Sequence, residues 1–337
     1  CCHHRPGRRT LNLSPLGSPA ELTLRIVFAG TSEFAVPSLR GLLGADHEVA
    51  AVYTQPDRPS GRGRKIVHGP VKRCAISQRL PVLQPENFAK EYSRLKKIAP
   101  ELIVVVAYGV ILPHDILSLP PSGCINVHAS LLPRWRGAAP IHRAIEAGDS
   151  STGITLMRMD AGLDSGNILF QSPSPIQEKD TTGSLHDRLA VDGAKALASC
   201  LPKIAAGTLL GIGQREENVT YAPKITRSER WLDWTRPAAE LARKIRAFNP
   251  RPLARTALGN QIILVQEAVL GPVHQHEHPG TVIQAREELI RVQAGDGSLE
   301  LCKVQLPGGR PLGSRDFLNG FPLTPGQCFQ SPDYAQP

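Results

Sequence analysis

The sequence predicts an α/β protein in two parts: a mostly parallel sheet covered by helices, then a smaller β-rich unit. Three observations carry that reading. Short, fully apolar, β-branched runs such as Leu102 to Val106 alternate with amphipathic stretches as far as Ala206, which is how strands buried on both faces and their crossover helices read. Past residue 206 the texture changes to one helix and five short strand-like runs cut by Gly, Pro and Asp, the pattern of a small barrel. The length of 337 residues exceeds what one core usually serves.

Residues 1–24 carry Arg, Pro, Ser and His without a sustained period and are expected to form a disordered tail. Their three Arg and single acid bear a faint likeness to a transit-peptide remnant. Order is expected from Arg25. Arg25 to Gly30 is a short buried strand ending on a Gly turn, Glu33 to Leu43 has helical spacing, and Glu48 to Thr54 is a second strand. Gln55 to Pro70 reads as a turn-rich loop, followed by helices over Val71 to Arg79 and Phe88 to Ala99. Glu101 to Val106 and Cys124 to His128 are strands, and Ala138 to Ala147 is a helix. Gly153 to Met159 and Asn167 to Gln171 are strands again, and Thr181 to Ala206 is a long amphipathic helix. Together these make a Rossmann-like unit over 25–207. A linker over 208–224 leads to the second unit, 225–337, with a helix from Pro237 to Phe248 and strands between Arg255 and Leu306. Gly295-Asp-Gly-Ser298 has the composition of a hairpin turn.

Composition excludes several classes. Hydrophobic residues at 41% and charged residues at 20% are those of a folded chain, not a disordered one. The seven Cys include no CxxC pair, so neither a disulfide framework nor a zinc ribbon is indicated. The longest apolar run, Leu102 to Leu112, has 11 residues, whereas a membrane-spanning helix needs about 20. The net charge of +9 is informative only through its placement. Arg58, Arg62, Arg64, Lys65, Lys72 and Arg73 form one acid-free window, and Arg243, Lys244, Arg246, Arg251 and Arg255 form another. Such windows are the footprint of a phosphate-backbone binder or, more plainly, of a solvated surface.

The chemistry-bearing residues cluster in two segments. Asn126 and His128 are two apart on a strand, so their side chains leave the same face. They also sit at the strand's C-terminal end, where open α/β sheets place ligands. An amide beside an imidazole can polarise a carbonyl and move a proton; the alternative is a polar pair that satisfies nearby backbone. Asp164 lies in a tight turn between Gly162 and Gly166, from which a carboxylate reaches His128 or merely caps its own turn. After the first strand only Gly30 is present where a dinucleotide fold shows GxGxxG. His274-Gln-His-Glu-His278 has the look of a ligand cluster but reads as a surface loop, and no metal is assigned.

Asn126-Val-His128, Ser130-Leu-Leu-Pro133 and Gly162-Leu-Asp-Ser-Gly166 resemble the signature of the formyltransferases that use 10-formyltetrahydrofolate. Phe28-Ala-Gly-Thr31, Thr54 to Lys65, Trp135 to Pro140, Ile245 to Pro250 and Asp316 to Gly320 extend the likeness over about residues 25–330. They point to the branch acting on initiator methionyl-tRNA. The resemblance implies a Rossmann-like catalytic unit followed by an OB-like, tRNA-binding barrel. It implies Asn126 as the donor to the formyl oxygen, with His128 and Asp164 handling protons. Folate is then expected in a cleft lined by Tyr108, Gly109, Leu112, Ser130, Leu131, Leu132 and Pro133. Arg58, Arg62, Arg64 and Lys65 are expected to meet the acceptor end of the tRNA, with Arg62 foremost, and Arg243, Lys244 and Arg246 its backbone. A sister enzyme formylating a small amine would share Asn126, His128 and Asp164 but lack the basic loop. A non-catalytic RNA-binding protein on the same scaffold conflicts with the intact trio. A monomer in a bacterial cytoplasm is the default expectation, with a mitochondrial or plastid matrix as the alternative; no membrane association is expected.

Overall fold

The computed structural model describes residues 23–45, 47–60, 65–273 and 277–331. From its start the chain forms β1 (Arg25–Gly30), α1 (Val36–Leu43), β2 (Glu48–Tyr53), β3 (Arg58–Ser60), β4 (Lys65–Val67), α2 (Pro70–Ser77) and β5 (Val82–Leu83). Then come α3 (Tyr92–Ile98), β6 (Leu102–Val106), α4 (His114–Leu117), β7 (Cys124–His128), α5 (Pro140–Ala147), β8 (Ser151–Arg158), β9 (Ile168–Pro175) and α6 (Thr182–Ala205).

Seven of these strands form one sheet in the order β5-β2-β1-β6-β7-β8-β9. The four pairings from β5 to β7 are parallel, while β8 and β9 return antiparallel. The expected mostly parallel sheet is therefore present, and the antiparallel edge is the part that apolar runs alone do not disclose. β1 shows why its strand is apolar after Arg25. Ile26 and Phe28 enter the larger core under α1 and α6, while Val27 and Ala29 enter a second core with Tyr53, Phe88, Leu95 and Tyr108 on the other face. With both faces covered from Ile26 onward, only the first position, Arg25, is left for a polar side chain, and it pairs with Glu48 at the sheet's rim. β9 is an edge, and Pro173 and Pro175 within it remove donors that would otherwise invite another strand. α6 starts on a capping box between Thr181 and Ser184 and buries Leu185, Leu189, Leu197 and Leu201.

The second unit contains α7 (Ala238–Ala247), β10 (Ala254–Leu258), β11 (Gln261–Gly271), β12 (Val282–Arg286), β13 (Leu289–Gln293), β14 (Ser298–Gln305), β15 (Leu312–Gly313) and α8 (Ser314–Gly320). Its sheet is antiparallel, in the order β10-β11-β14-β13-β12 with β15 on β14. The last described residues run between its two edges. Gln330 N–H donates to the Ala257 carbonyl at 2.8 Å, Val282 N–H donates to the Gln327 carbonyl at 2.7 Å, and Phe329 N–H donates to the Gly280 carbonyl at 2.8 Å.

Several expectations need correction or a boundary. Gln55 to Pro70 is not all irregular, since β3 and β4 pair as a short antiparallel hairpin. The stretch 208–224 is not free of structure: Ile212 bridges Ile168 and Tyr221 bridges Arg136. α8 lies beyond the last expected strand, where no element is expected, and takes in Asp316 to Gly320. The expected tail over 1–24 ends too late, since Leu24 is buried in the main core; residues 1–22, Arg62, Arg64 and residues 274–276 of the His cluster lie outside the described residues.

Candidate active site

β7 delivers Asn126 and His128 to the C-terminal edge of the parallel strands, and both face one carboxylate. Asn126 Nδ2 donates to Asp164 Oδ1 at 3.3 Å. His128 Nδ1 stands 3.7 Å from Asp164 Oδ2, an ion-pair distance and longer than a hydrogen bond. His128 and Asp164 side chains are only 6% and 17% exposed, so charge interactions here are screened less than on the surface. The three residues singled out from sequence therefore meet.

The loop that brings Asp164 there is shaped in part by its own side chains. Asp160 Oδ1 accepts from Gly162 N at 3.0 Å and from Ser165 Oγ at 2.8 Å, so Asp160, and not Asp164, caps the turn. Asp164 itself has φ 50, a left-handed conformation that Asp tolerates better than most residues. At Gly166 any Cβ would collide with the Arg158 carbonyl, so the loop must leave its strand on a residue without one. Asp164 Oδ2 also accepts from Gly137 N at 2.8 Å. Gly137, at φ 117 and with a Cβ position 2.9 Å from the Ala222 carbonyl, admits no side chain either.

The imidazole has a defined tautomer. His128 Nε2 lies 2.9 Å from the Trp135 carbonyl, which only accepts, so Nε2 carries a hydrogen. Nδ1 is then the nitrogen that gains and loses a proton, and it is the one facing Asp164. Asn126 has two N–H donors, of which one goes to Asp164. The other leaves the amide able to hold a second acceptor. The set can stabilise an oxyanion and exchange a proton beside it.

Comparison with known proteins bears on which family builds such a set. The family models described as "Formyl transferase" and "Formyl transferase, C-terminal domain" match residues 24–201 and 224–322. The chain belongs to the formyl transferase family. It is 52% identical over 303 residues to a methionyl-tRNA formyltransferase of Methylococcus capsulatus, covering 89% of this chain and 98% of that one. It is 51% identical over 298 residues to another of Stutzerimonas stutzeri, covering 88% and 94%. Two solved structures share the fold. HypX from Aquifex aeolicus in complex with tetrahydrofolic acid has a TM-score of 0.62 at 17% identity, over 91% of this chain and 51% of that one. An N-formyltransferase from Helicobacter canadensis in complex with folinic acid and dTDP-3-aminofucose has a TM-score of 0.62 at 19% identity, over 83% and 99%.

In this formyl transferase the expected folate wall divides by residue. The Tyr108 ring is buried against Phe88, and burial pushes its phenol pKa up. Its carbonyl accepts from Thr31 Oγ1 and Gln55 Nε2. Leu112 and Leu132 are buried, and Ser130 is fully buried with its Oγ donating to the Arg134 carbonyl at 2.6 Å. These four hold the loops from within. Gly109, at φ 74, is exposed, and Leu131 and Pro133 are partly so. Cys124, at the start of β7, is buried, and burial pushes its thiol up to about 12.

The basic windows differ in the same way. Arg58 is exposed on β3, and Lys65 opens β4. Asp57 at the hairpin's base bonds Lys72 Nζ at 2.5 Å and Gln84 Nε2 at 3.1 Å. Arg243 Nε donates to the Glu146 carbonyl and Arg246 Nη1 to the Asp180 carbonyl. Lys244 lies over the Phe248 ring at 5.7 Å, and burial pulls its pKa down. This window spends part of its donors on the seam between α7 and the first unit. Sequence reading missed Gln214, whose Nε2 donates to both the Asp164 and Gly166 carbonyls at 2.8 Å. No period or motif marks a lone Gln in an irregular stretch. Among the described residues no cluster of His, Cys, Asp or Glu is placed to hold a metal, and no helix is long and apolar enough to cross a membrane.

Proposed function

We propose that this formyl transferase moves the formyl group of 10-formyltetrahydrofolate to the α-amino group of methionine on initiator tRNA. The reading rests on one observation: an amide, an imidazole and a carboxylate converge on β7 in a chain about half identical to bacterial methionyl-tRNA formyltransferases. The neutral amine attacks the formyl carbon, and the carbonyl electron pair moves to oxygen. Asn126 donates its free N–H to that oxygen. The tetrahedral intermediate collapses as the bond to the folate nitrogen breaks. His128 Nδ1 and Asp164 take the proton from the amine, and the folate nitrogen receives one on leaving. Preorganised donation to an oxyanion is worth ~100–1000-fold in rate, and positioned proton transfer ~100–10,000-fold.

Residues 25–207 are proposed as the catalytic domain and 225–337 as an OB-like tRNA-binding domain joined through 208–224. The bonds from Gln327–Gln330 to both sheet edges support closure of the second sheet into a barrel. Arg58, with Arg62, Arg64 and Lys65 of the same window, is proposed to meet the acceptor end. The free donors of Arg243, Lys244 and Arg246 are proposed to meet the backbone. Gly109, Leu131 and Pro133 are proposed to face the folate. The bacterial relatives support a bacterial cytoplasm. The test is formyl transfer from 10-formyltetrahydrofolate to charged initiator tRNA, with elongator methionyl-tRNA and a small amine alongside. Rapid transfer to the initiator species alone is expected; preference for the small amine would overturn the reading.

A further inference from the structure

We propose that the stretch 212–222 is a brace that sets the active site, and that Gln214 and Arg136 are positioning residues for Asp164. The proposal rests on the reading of Asp164 as a proton-handling group. Its own support is geometric. Asp164 sits at φ 50, and a loop holding that conformation needs outside contacts to keep it. Gln214 supplies them, with both N–H groups of one amide on the carbonyls of Asp164 and Gly166. The amide is in turn oriented through its oxygen, which accepts from Arg136 Nε at 3.0 Å. Arg136 is buried at 4% exposure and its other contact is Glu216 Oε1 at 3.2 Å. A buried guanidinium with two partners fixes a planar geometry that Lys does not reproduce.

The same stretch holds the opposite wall of the site. Arg136 N donates to the Thr220 carbonyl at 2.9 Å, and Ala222 N donates to the Arg136 carbonyl at 2.7 Å. Trp135 N donates to Thr220 Oγ1 at 2.9 Å, and Ala138 N donates to the Ala222 carbonyl at 2.9 Å. These bonds fix the segment whose Trp135 carbonyl accepts the hydrogen bond from His128 Nε2 and whose Gly137 N–H holds Asp164. One strip of chain outside the sheet therefore holds the partners of both His128 and Asp164. Positioning within a fraction of an ångström is what such a site needs.

The test uses the full chain with Gln214→Leu, Gln214→Glu and Arg136→Lys. Gln214→Leu keeps bulk and removes the donors; Gln214→Glu puts acceptors against the two carbonyls. For both, kcat is expected to fall ~10–100-fold, with KM for folate and for tRNA within about 2-fold. The acid limb of the kcat–pH profile is expected to move, because the distance between Asp164 and His128 changes; a merely structural role would leave it in place. Amide hydrogen exchange over 160–167 is expected to quicken in the variants while the exchange of β6 does not. Arg136→Lys is expected to give the same signature, more weakly. Unchanged kcat and pH profile in Gln214→Leu, with unchanged exchange over 160–167, would overturn the proposal. The exchange measurement tests the brace even if the wild-type protein formylates a different amine, so the two readings fail separately.

Discussion

Asp164 organises three neighbours with one carboxylate: Oδ1 takes Asn126, and Oδ2 faces His128 and takes Gly137 N. That sharing makes Asn126 the cleanest residue to test. Asn126→Ala is expected to lower kcat ~100–1000-fold, about 3–4 kcal/mol of transition-state stabilisation. Folate binding by titration should stay close to wild type, because the missing donor serves an oxyanion and not the ground-state carbonyl. Unchanged turnover would remove Asn126 from the oxyanion role. This pair was legible in the sequence because strand spacing alone puts positions 126 and 128 on one face. The meeting with Asp164 was not, since 36 residues separate it from His128 and no local period spans that gap. Gln214 was less legible still. Its two bonds depend on where an irregular segment runs, and side-chain amides leave no trace in a hydrophobic pattern.

At the scale of elements, the basic window gains a base. β3 and β4 are three residues each, too short and too rich in Gly and Pro nearby for alternation to announce a hairpin. Asp57 ties their base to α2 through Lys72, and both side chains are 15% exposed. Lys72, assisted by Gln84 and His68 against the cost of burial, holds the Asp57 carboxyl down at about 2. A depressed carboxylate stabilises the fold above its unfolded pKa near 4 and loses that contribution as pH falls through about 2. Lys72→Met is therefore expected to lower the melting temperature by about 5 °C at pH 7, with the gap from wild type closing between about pH 4 and pH 2. A gap that persists at pH 2 would rule out the ion pair as its source. The hairpin itself is tested by salt: tRNA affinity should fall steeply with ionic strength, and Arg58→Ala should reduce the slope of log K against log salt by about 1. A flat dependence in the wild type would contradict phosphate contact.

Over the whole molecule, the length led to an expectation of two domains but gave no hint that the two larger sheets share a core. Periodicity says which face of α5 and α7 is apolar, not what that face meets. Ile141 and Ile145 of α5, Leu241 and Ile245 of α7, and Ile263 and Val265 of β11 belong to one continuous buried cluster. Polar bonds close the same seam: Gly183 N donates to the Asn249 carbonyl at 3.1 Å, and the His142 ring reaches the Arg251 carbonyl at 3.2 Å. Arg143 bonds Glu229 at 2.6 Å. This seam joins the two larger sheets mechanically, so neither has a complete core alone. The protein is accordingly expected to melt in one calorimetric transition, with calorimetric and van't Hoff enthalpies in agreement. Leu241→Ala removes a side chain that is 1% exposed and is expected to cost about 2–5 kcal/mol. Because the cluster is shared, that loss should shift the single transition as a whole. Two resolved transitions, with only the second moved by Leu241→Ala, would mean that the sheets fold independently and that the seam is only contact.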